Sequence, residues 1–331
     1  MRWGGNFAPG TSCSISVASS SAIRSALLLL LMKIDNSATG IRRMTTPRAS
    51  GVVLAALGVL AFSFSFPGTV WALDGFGPWT ATGLRGLIAA ALAALGLTIV
   101  RGPRPQRKDW PALGVVAAGC AVGFPLLTTL ALQTSTTAHS AVVIGALPMA
   151  TASISAWRTR QHLPAAFWAA ASLGALAVIG FTLTQNHGRV GLADLYLFAA
   201  LLVCAAGYAE GGRLSSRMPG WRVIAWGVVL AAPVNLVVSV WGISRESVHL
   251  SATALLGMAY IAGVSQFFGF VAWYRGMGLI GVARASQIQL AQPLLTLVWA
   301  VLLMGEHLTI AAAITAVIVL ACIVTTQRAR N

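Results

Sequence analysis

From residue 51 to residue 326 the chain is a succession of apolar runs separated by short breaks rich in Arg, Gly and Pro. Each run is about 20 residues long, the length a helix needs to cross the hydrocarbon core of a bilayer. Ten such runs stand at 51–71, 76–100, 111–131, 137–157, 164–184, 191–209, 223–242, 252–274, 285–304 and 308–326. Period-two alternation, the mark of a membrane barrel, is absent, and open strands cannot satisfy their backbone in lipid. The pattern therefore predicts an all-α integral membrane protein with ten transmembrane helices. Residues 1–48 break the pattern. They are rich in serine, and their one apolar stretch, Ala26 to Met32, is too short to span. The expectation for 1–48 is a tail, either disordered or not translated because the start lies at Met44.

Sliding the chain by 145 residues lays Ala146-Leu147-Pro148 on Ala291-Gln292-Pro293 and Thr151 on Thr296. The same shift lays Gln161-His162-Leu163 on Glu306-His307-Leu308. Span four falls on span nine and span five on span ten, so each half holds five spans. Five is odd, so the second half enters the membrane from the opposite side, giving two inverted five-helix repeats at 51–184 and 191–326.

Composition closes off other classes. Only 9% of the 331 residues are charged and 57% are hydrophobic, whereas soluble domains carry about 25% charged residues. A soluble enzyme, a disordered chain and a disulfide scaffold are excluded. The net charge of +15 would point to nucleic acid in a soluble protein, but its distribution points elsewhere. With the N-terminus inside, sixteen Lys and Arg fall in the inner segments, against Arg189 and Arg245 outside. That asymmetry places both termini in the cytoplasm of a multi-pass protein of the inner, cytoplasmic membrane, with the lipid bilayer and not nucleic acid as its partner. The four cysteines (13, 120, 204, 322) form no CxxC and the five histidines no metal spacing, so no metal or cofactor is expected. No phosphate-binding GxxxxGK[ST] loop stands anywhere in the chain.

The segment Gln292-Pro293-Leu294-Leu295 through Leu303-Met304-Gly305-Glu306-His307-Leu308-Thr309 resembles the ninth-to-tenth span signature of EamA-type transporters in the drug/metabolite transporter superfamily. The resemblance covers residues 50 to 326. The first-half copy keeps Pro148 but has Arg160-Gln161-His162 where the family's Gly-Glu would stand. The resemblance implies a secondary active exporter of small metabolites (amino acids, other amphiphiles or drugs) working by alternating access, with no enzymatic activity. A non-transporting structural or receptor-like polytopic protein is the alternative, and a homodimer is compatible with either.

Charged groups inside spans are costly and point to function. Arg85 lies about 13 Å from the outer end of span two at 1.5 Å per residue. It could hold an anionic group of the substrate, or act structurally on helix carbonyls. Glu210 closes span six, where it could couple or gate transport or simply pair with Arg213; Tyr208 stands beside it. Asp74 and Asp194 are expected in solvent, and Glu306 at the start of span ten, capping that helix. Uncharged candidates for substrate contact are Ser63, Ser65, Asn235, Gln266, Gln289 and Gln292, with interhelical hydrogen bonding the alternative for each. Gln266 and Gln289 form the favoured pair, because their repeat counterparts Ala121 and Ile144 are apolar. Pro148 and Pro293, at matching positions, could be hinges. Trp71, Trp79, Trp110, Trp168, Trp273 and Tyr274 are expected as interface anchors.

The orientation has a direct check. Single cysteines at Arg104 and Arg217 should react only from the cytoplasm, and at Gln185 and Ser247 only from outside. Labelling of the 185 and 217 positions from one side would contradict the inverted arrangement.

Overall fold

The computed structural model describes residues 47–100, 102–160, 162–185, 189–280, 285 and 288–330. The stretch Ala26 to Met32, the start at Met44, and Arg42, Arg43, Arg101, Gln161 and Arg284 lie outside the described residues.

The described residues are helical and contain no strand. Eight helices are long and apolar enough to cross a membrane: α1 (Ala49–Leu73), α2 (Pro78–Val100), α3 (Arg107–Ala131), α4 (Thr137–Thr159), α5 (Ala165–Gln185), α6 (Leu192–Leu214), α7 (Gly220–Arg245) and α8 (Ala252–Ile280). Two shorter apolar helices follow, α9 (Ala291–Met304) and α10 (Ile310–Thr325). Residues 285, 288 and 289 are also helical, and a turn at Leu290 interrupts the expected ninth span. Pro293 sits in the first turn of the helix that restarts there, where its missing N–H costs nothing. Helices α6 and α8 run past their expected ends at 209 and 274, and Leu214 and Met277 on those extensions are buried.

Four helices are irregular inside the bundle. Helix α1 is broken at Phe64, three residues before Pro67. Helix α4 is broken at Gly145–Ala146, just before Pro148. Helices α3 and α8 widen into π-type turns over 117–123 and 260–269. A shift of 145 residues carries the first of these inside the second. Wide turns of this kind mark functional positions more often than ordinary helix does.

Packing crosses between the halves. Helix α1 lies along α8, α2 along α7, α3 along α6, α4 along α9 and α5 along α10. The α2–α7 pair is antiparallel: Thr80 meets Gly242, Gly83 meets Ser239 and Gly86 meets Asn235. Along α1–α8, Ala55 meets Gly276, Gly58 meets Trp273 and Ala72 meets Gly257. Lipid offers apolar side chains the same solvation as a helix neighbour does, so close backbone approach at small residues drives this packing. At Gly86 a methyl group would occupy the space of the Asn235 amide, so only glycine admits that contact.

Large apolar side chains cover the outside instead: Leu173 and Leu176 on α5, Leu236, Val237 and Val240 on α7. In a bilayer that surface meets acyl chains. Trp168 is partly exposed, as an anchor would be. Trp273 and Tyr274 are not anchors: both are buried, packed with Phe62, Phe270 and Tyr208, because the extra turns of α8 continue past them.

Candidate functional site

Arg85 is 4% exposed, about a third of the way along α2 from Pro78. Its Nη2 donates to Gln266 Oε1 at 3.0 Å, and Gln266 Nε2 donates to the Cys120 carbonyl at 3.3 Å. Cys120 and Gln266 both lie in the π-type turns. The backbone irregularity of α3 and α8 thus meets at the one arginine, and Gln266 links three helices. Arg85 Nε has no hydrogen-bond partner. Neither amide atom of Asn235, on α7 against Gly86, is bonded, nor are the hydroxyls of Thr82 and Ser239.

The carboxylates of the described residues are committed elsewhere. Asp109 pairs with Arg217, Asp194 with His139, and Glu210 with Arg158 and Arg213. Glu246 and Glu306 cap helices, and Asp74 is exposed at the end of α1. None is within ion-pair distance of Arg85. An unpaired cation at mid-bilayer costs at least about 2.5–3.5 kcal/mol on insertion scales, and one glutamine offsets only part of that.

A second cluster lies between α1, α4 and α9. Phe66, Gly145, Pro148, Gln289, Gln292 and Pro293 are among the residues lining a half-open cavity of about 20 Å³. That is room for about one water. Gln289 is 4% exposed and its Nε2 is unbonded. The two matched prolines face the same space, since each follows a break in its helix. Of the favoured pair, Gln266 bonds Arg85 and Gln289 lines this cavity.

Ser63 and Ser65 join helices. Pro67 has no N–H for the Ser63 carbonyl, one helical turn back. The Thr296 hydroxyl donates to that carbonyl at 2.8 Å, and Trp299 Nε1 to Ser63 Oγ at 3.0 Å. Ser65 Oγ meets Ser265 Oγ on α8 at 2.6 Å.

At one end of the bundle, Glu210 accepts from Arg158 Nε at 2.9 Å, and from Arg213 Nε and Nη2 at 2.8 and 2.7 Å. Arg213 was the expected neighbour; Arg158 adds a tie from α6 to α4. Tyr208 packs its ring against Phe270 and Trp273. At the other end, Asp194 is buried rather than in solvent, with its Oδ1 2.6 Å from His139 Nε2. Its second oxygen accepts the Gly191 N–H at 2.9 Å. Helix α6 is thus tied to α4 at both ends.

The EamA-like transporter family matches the chain twice, over residues 49–183 and 191–327. The chain belongs to the EamA-like transporter family. It is 39% identical over 279 residues to a protein of Bacillus subtilis (strain 168) described as the uncharacterized transporter YdeK, covering 84% of this chain and 97% of that one. It is 25% identical over 274 residues to a second transporter of the same strain, YcbK, covering 78% and 87%. A solved crystal structure shares the fold at a TM-score of 0.59 and 19% identity, over 84% of this chain and 96% of that one.

Within this EamA-like chain the Gly305-Glu306 turn has a specific task. Gly305 ends α9 in the left-handed region, at φ 66°, where glycine alone carries no Cβ penalty. The turn sends the Glu306 carboxylate to α4, where it accepts the N–H groups of Thr137 and Ala138 at 2.7 Å each. Glu306 therefore caps span four of the other half, not span ten; the start of span ten is capped by the Thr309 hydroxyl at 3.1 Å from the Ala312 N–H. Glu246, after α7, does the same for α2 through the N–H groups of Trp79 and Thr80, at 3.1 and 2.8 Å. A carboxylate on a helix N-terminus both satisfies orphan amides and meets the positive end of the dipole.

Sequence reasoning missed Glu246, His139, Thr296 and Trp299. Thr296 carried a signal, since its repeat match to Thr151 put it on a named helix. Glu306→Ala should destabilise the protein by about 1–2 kcal/mol, the usual range for a lost N-cap. Reversible unfolding in mixed micelles measures it, and stability equal to wild type would contradict the cross-half cap.

Proposed function

We propose that the protein is a secondary active transporter that exports small carboxylate-bearing metabolites, amino acids among them, across the cytoplasmic membrane by alternating access. In this reading α9 and α10 complete ten transmembrane helices, arranged as two inverted five-helix repeats with both termini in the cytoplasm. The regular pairing of first-half with second-half helices supports the repeat, as do the matched π-type turns and the facing prolines. The distribution of Lys and Arg supports the orientation.

The single observation that carries the reading is the lack of a carboxylate for Arg85 among the described residues. A guanidinium presents a planar pair of donors that fits a carboxylate at both oxygens. In the structure Gln266 occupies part of that fork. A substrate carboxylate displaces it, forms the ion pair the protein lacks, and frees the Gln266 side chain. Because Gln266 also holds the Cys120 carbonyl, substrate arrival loosens α8 from α3 at their π-type turns. Asn235, packed on Gly86, offers both an amide donor and an acceptor, suited to the polar remainder of an amino acid.

Gln289, Gln292 and Ser63 and Ser65 lie on the side of α1 and α9, with Pro148 and Pro293 as paired hinges that let α4 and α9 bend as the halves rock. Glu210, with Arg158, Arg213 and the adjacent Tyr208, latches one end, and the Glu246 and Glu306 caps latch the other. Alternating access then opens one set while the other stays closed.

The test is flux of candidate metabolites in proteoliposomes, normalised to folded protein by fluorescence size-exclusion. Arg85→Gln should insert and accumulate yet lose at least about tenfold of its transport rate, consistent with a charge-assisted bond of about 1.5–3 kcal/mol. Arg85→Lys should retain part of the rate, because it keeps the charge but not the fork. Wild-type flux per molecule in Arg85→Gln would overturn the assignment.

A further inference from the structure

The turn between α4 and α5 forms a cationic, aromatic corner in which the transport reading gives a task to Arg158 alone. A cavity of about 660 Å³ opens there, lined by Trp157, Arg158, Arg160, His162 and Trp168 among others. It lies at the edge of the bundle, where α4 ends at Thr159 and α5 begins at Ala165. Trp157 is 79% exposed and Trp168 44%. Two large amphipathic rings left outside the fold at a span end sit at the headgroup level of a membrane.

The polar groups of this corner are unspent. Arg158 gives only its Nε to Glu210, and its two terminal nitrogens make no hydrogen bond among the described residues. The side chains of Arg160 and His162 make no hydrogen bond among the described residues. Arg160 is also the only non-glycine described residue with positive φ, at 51°. That left-handed turn ends α4 and keeps residues 160 and 162 beside the last turn. Glu210, the one carboxylate nearby, already has both oxygens taken. The corner thus offers donors and positive charge and no anion.

We propose that this corner binds the phosphate of an anionic phospholipid. The guanidinium groups of Arg158 and Arg160 and the His162 ring hold the phosphate, and Trp157 and Trp168 flank the glycerol region. The acyl chains then run along α5, where Leu173 and Leu176 face outward. Basic pockets at span ends recognise anionic headgroups by this chemistry. Membrane placement is all the site requires; it does not depend on the role of Arg85. Because Arg158 touches both the cavity and Glu210, a bound lipid sits next to the tie between α4 and α6.

Native mass spectrometry of the full protein in detergent tests this. The probes are phosphatidylglycerol, phosphatidylcholine of the same chains, and inorganic phosphate. The wild type should retain phosphatidylglycerol at least about fivefold more than phosphatidylcholine. The double substitution Arg160→Gln with His162→Gln should bring the two lipids level, while Arg160→Lys keeps a preference. Arg158 is left intact because it holds Glu210. Equal retention of the two lipids by wild type, a comparison that needs no variant, would overturn the site. So would an undiminished preference in the double variant. Displacement of phosphatidylglycerol by millimolar inorganic phosphate would overturn it too, by showing a site for a soluble anion.

Discussion

Inside a bilayer no water completes an unfinished hydrogen bond or screens a charge, so each polar group must find its partner in the protein. That constraint orders the contacts of this fold. The carbonyl that Pro67 leaves free on Ser63 is taken by Thr296 from the other half. The amides that open α2 and α4 are taken by Glu246 and Glu306, again from the other half. The seven acidic residues of the chain are a small supply, and five of them go to ion pairs and caps near the helix ends. Arg85 receives only a neutral amide from the protein. The same scarcity that holds the halves together leaves Arg85 without a carboxylate partner among the described residues.

Packing and function are linked through the small residues. Gly86 lets the backbone of α2 approach α7 closely enough to seat the Asn235 amide against it. The π-type turns of α3 and α8 supply a spare carbonyl at Cys120 and aim Gln266 at the guanidinium. Under the proposed function, occupancy of Arg85 and the packing of the halves form one equilibrium, because Gln266 joins α2, α8 and α3. A ligand that pairs with Arg85 in only one arrangement shifts that equilibrium by its difference in affinity.

Much of this was legible in the chain, and the failures have physical causes. Length and polarity suffice to find helices in lipid, and eight of the ten expected spans meet the length for crossing a membrane. The ninth ends at Met304 as expected, but hydropathy does not register the turn at Leu290 that interrupts it. Arg85 stood out because a charge among apolar residues has no cheap explanation. The partner of Gln266 did not, since a glutamine pairs across helices by geometry that spacing cannot supply. Glu306 was assigned to the nearest helix in sequence, whereas the left-handed Gly305 turns it to a distant one. Asp194 was expected in water because nothing in the sequence joins it to His139, 55 residues away. Trp273 and Tyr274 were placed at the membrane surface only because the end of α8 was drawn too early.

The central claim is that the missing counter-charge of Arg85 arrives with the substrate. Its most direct measurement is binding to wild-type protein of matched small molecules that differ only in a carboxylate or its methyl ester, followed by thermal stabilisation in detergent. A charge-assisted bond of about 1.5–3 kcal/mol predicts roughly ten- to hundredfold tighter binding of the acids. Acids and esters that stabilise the protein at the same concentrations would contradict the account.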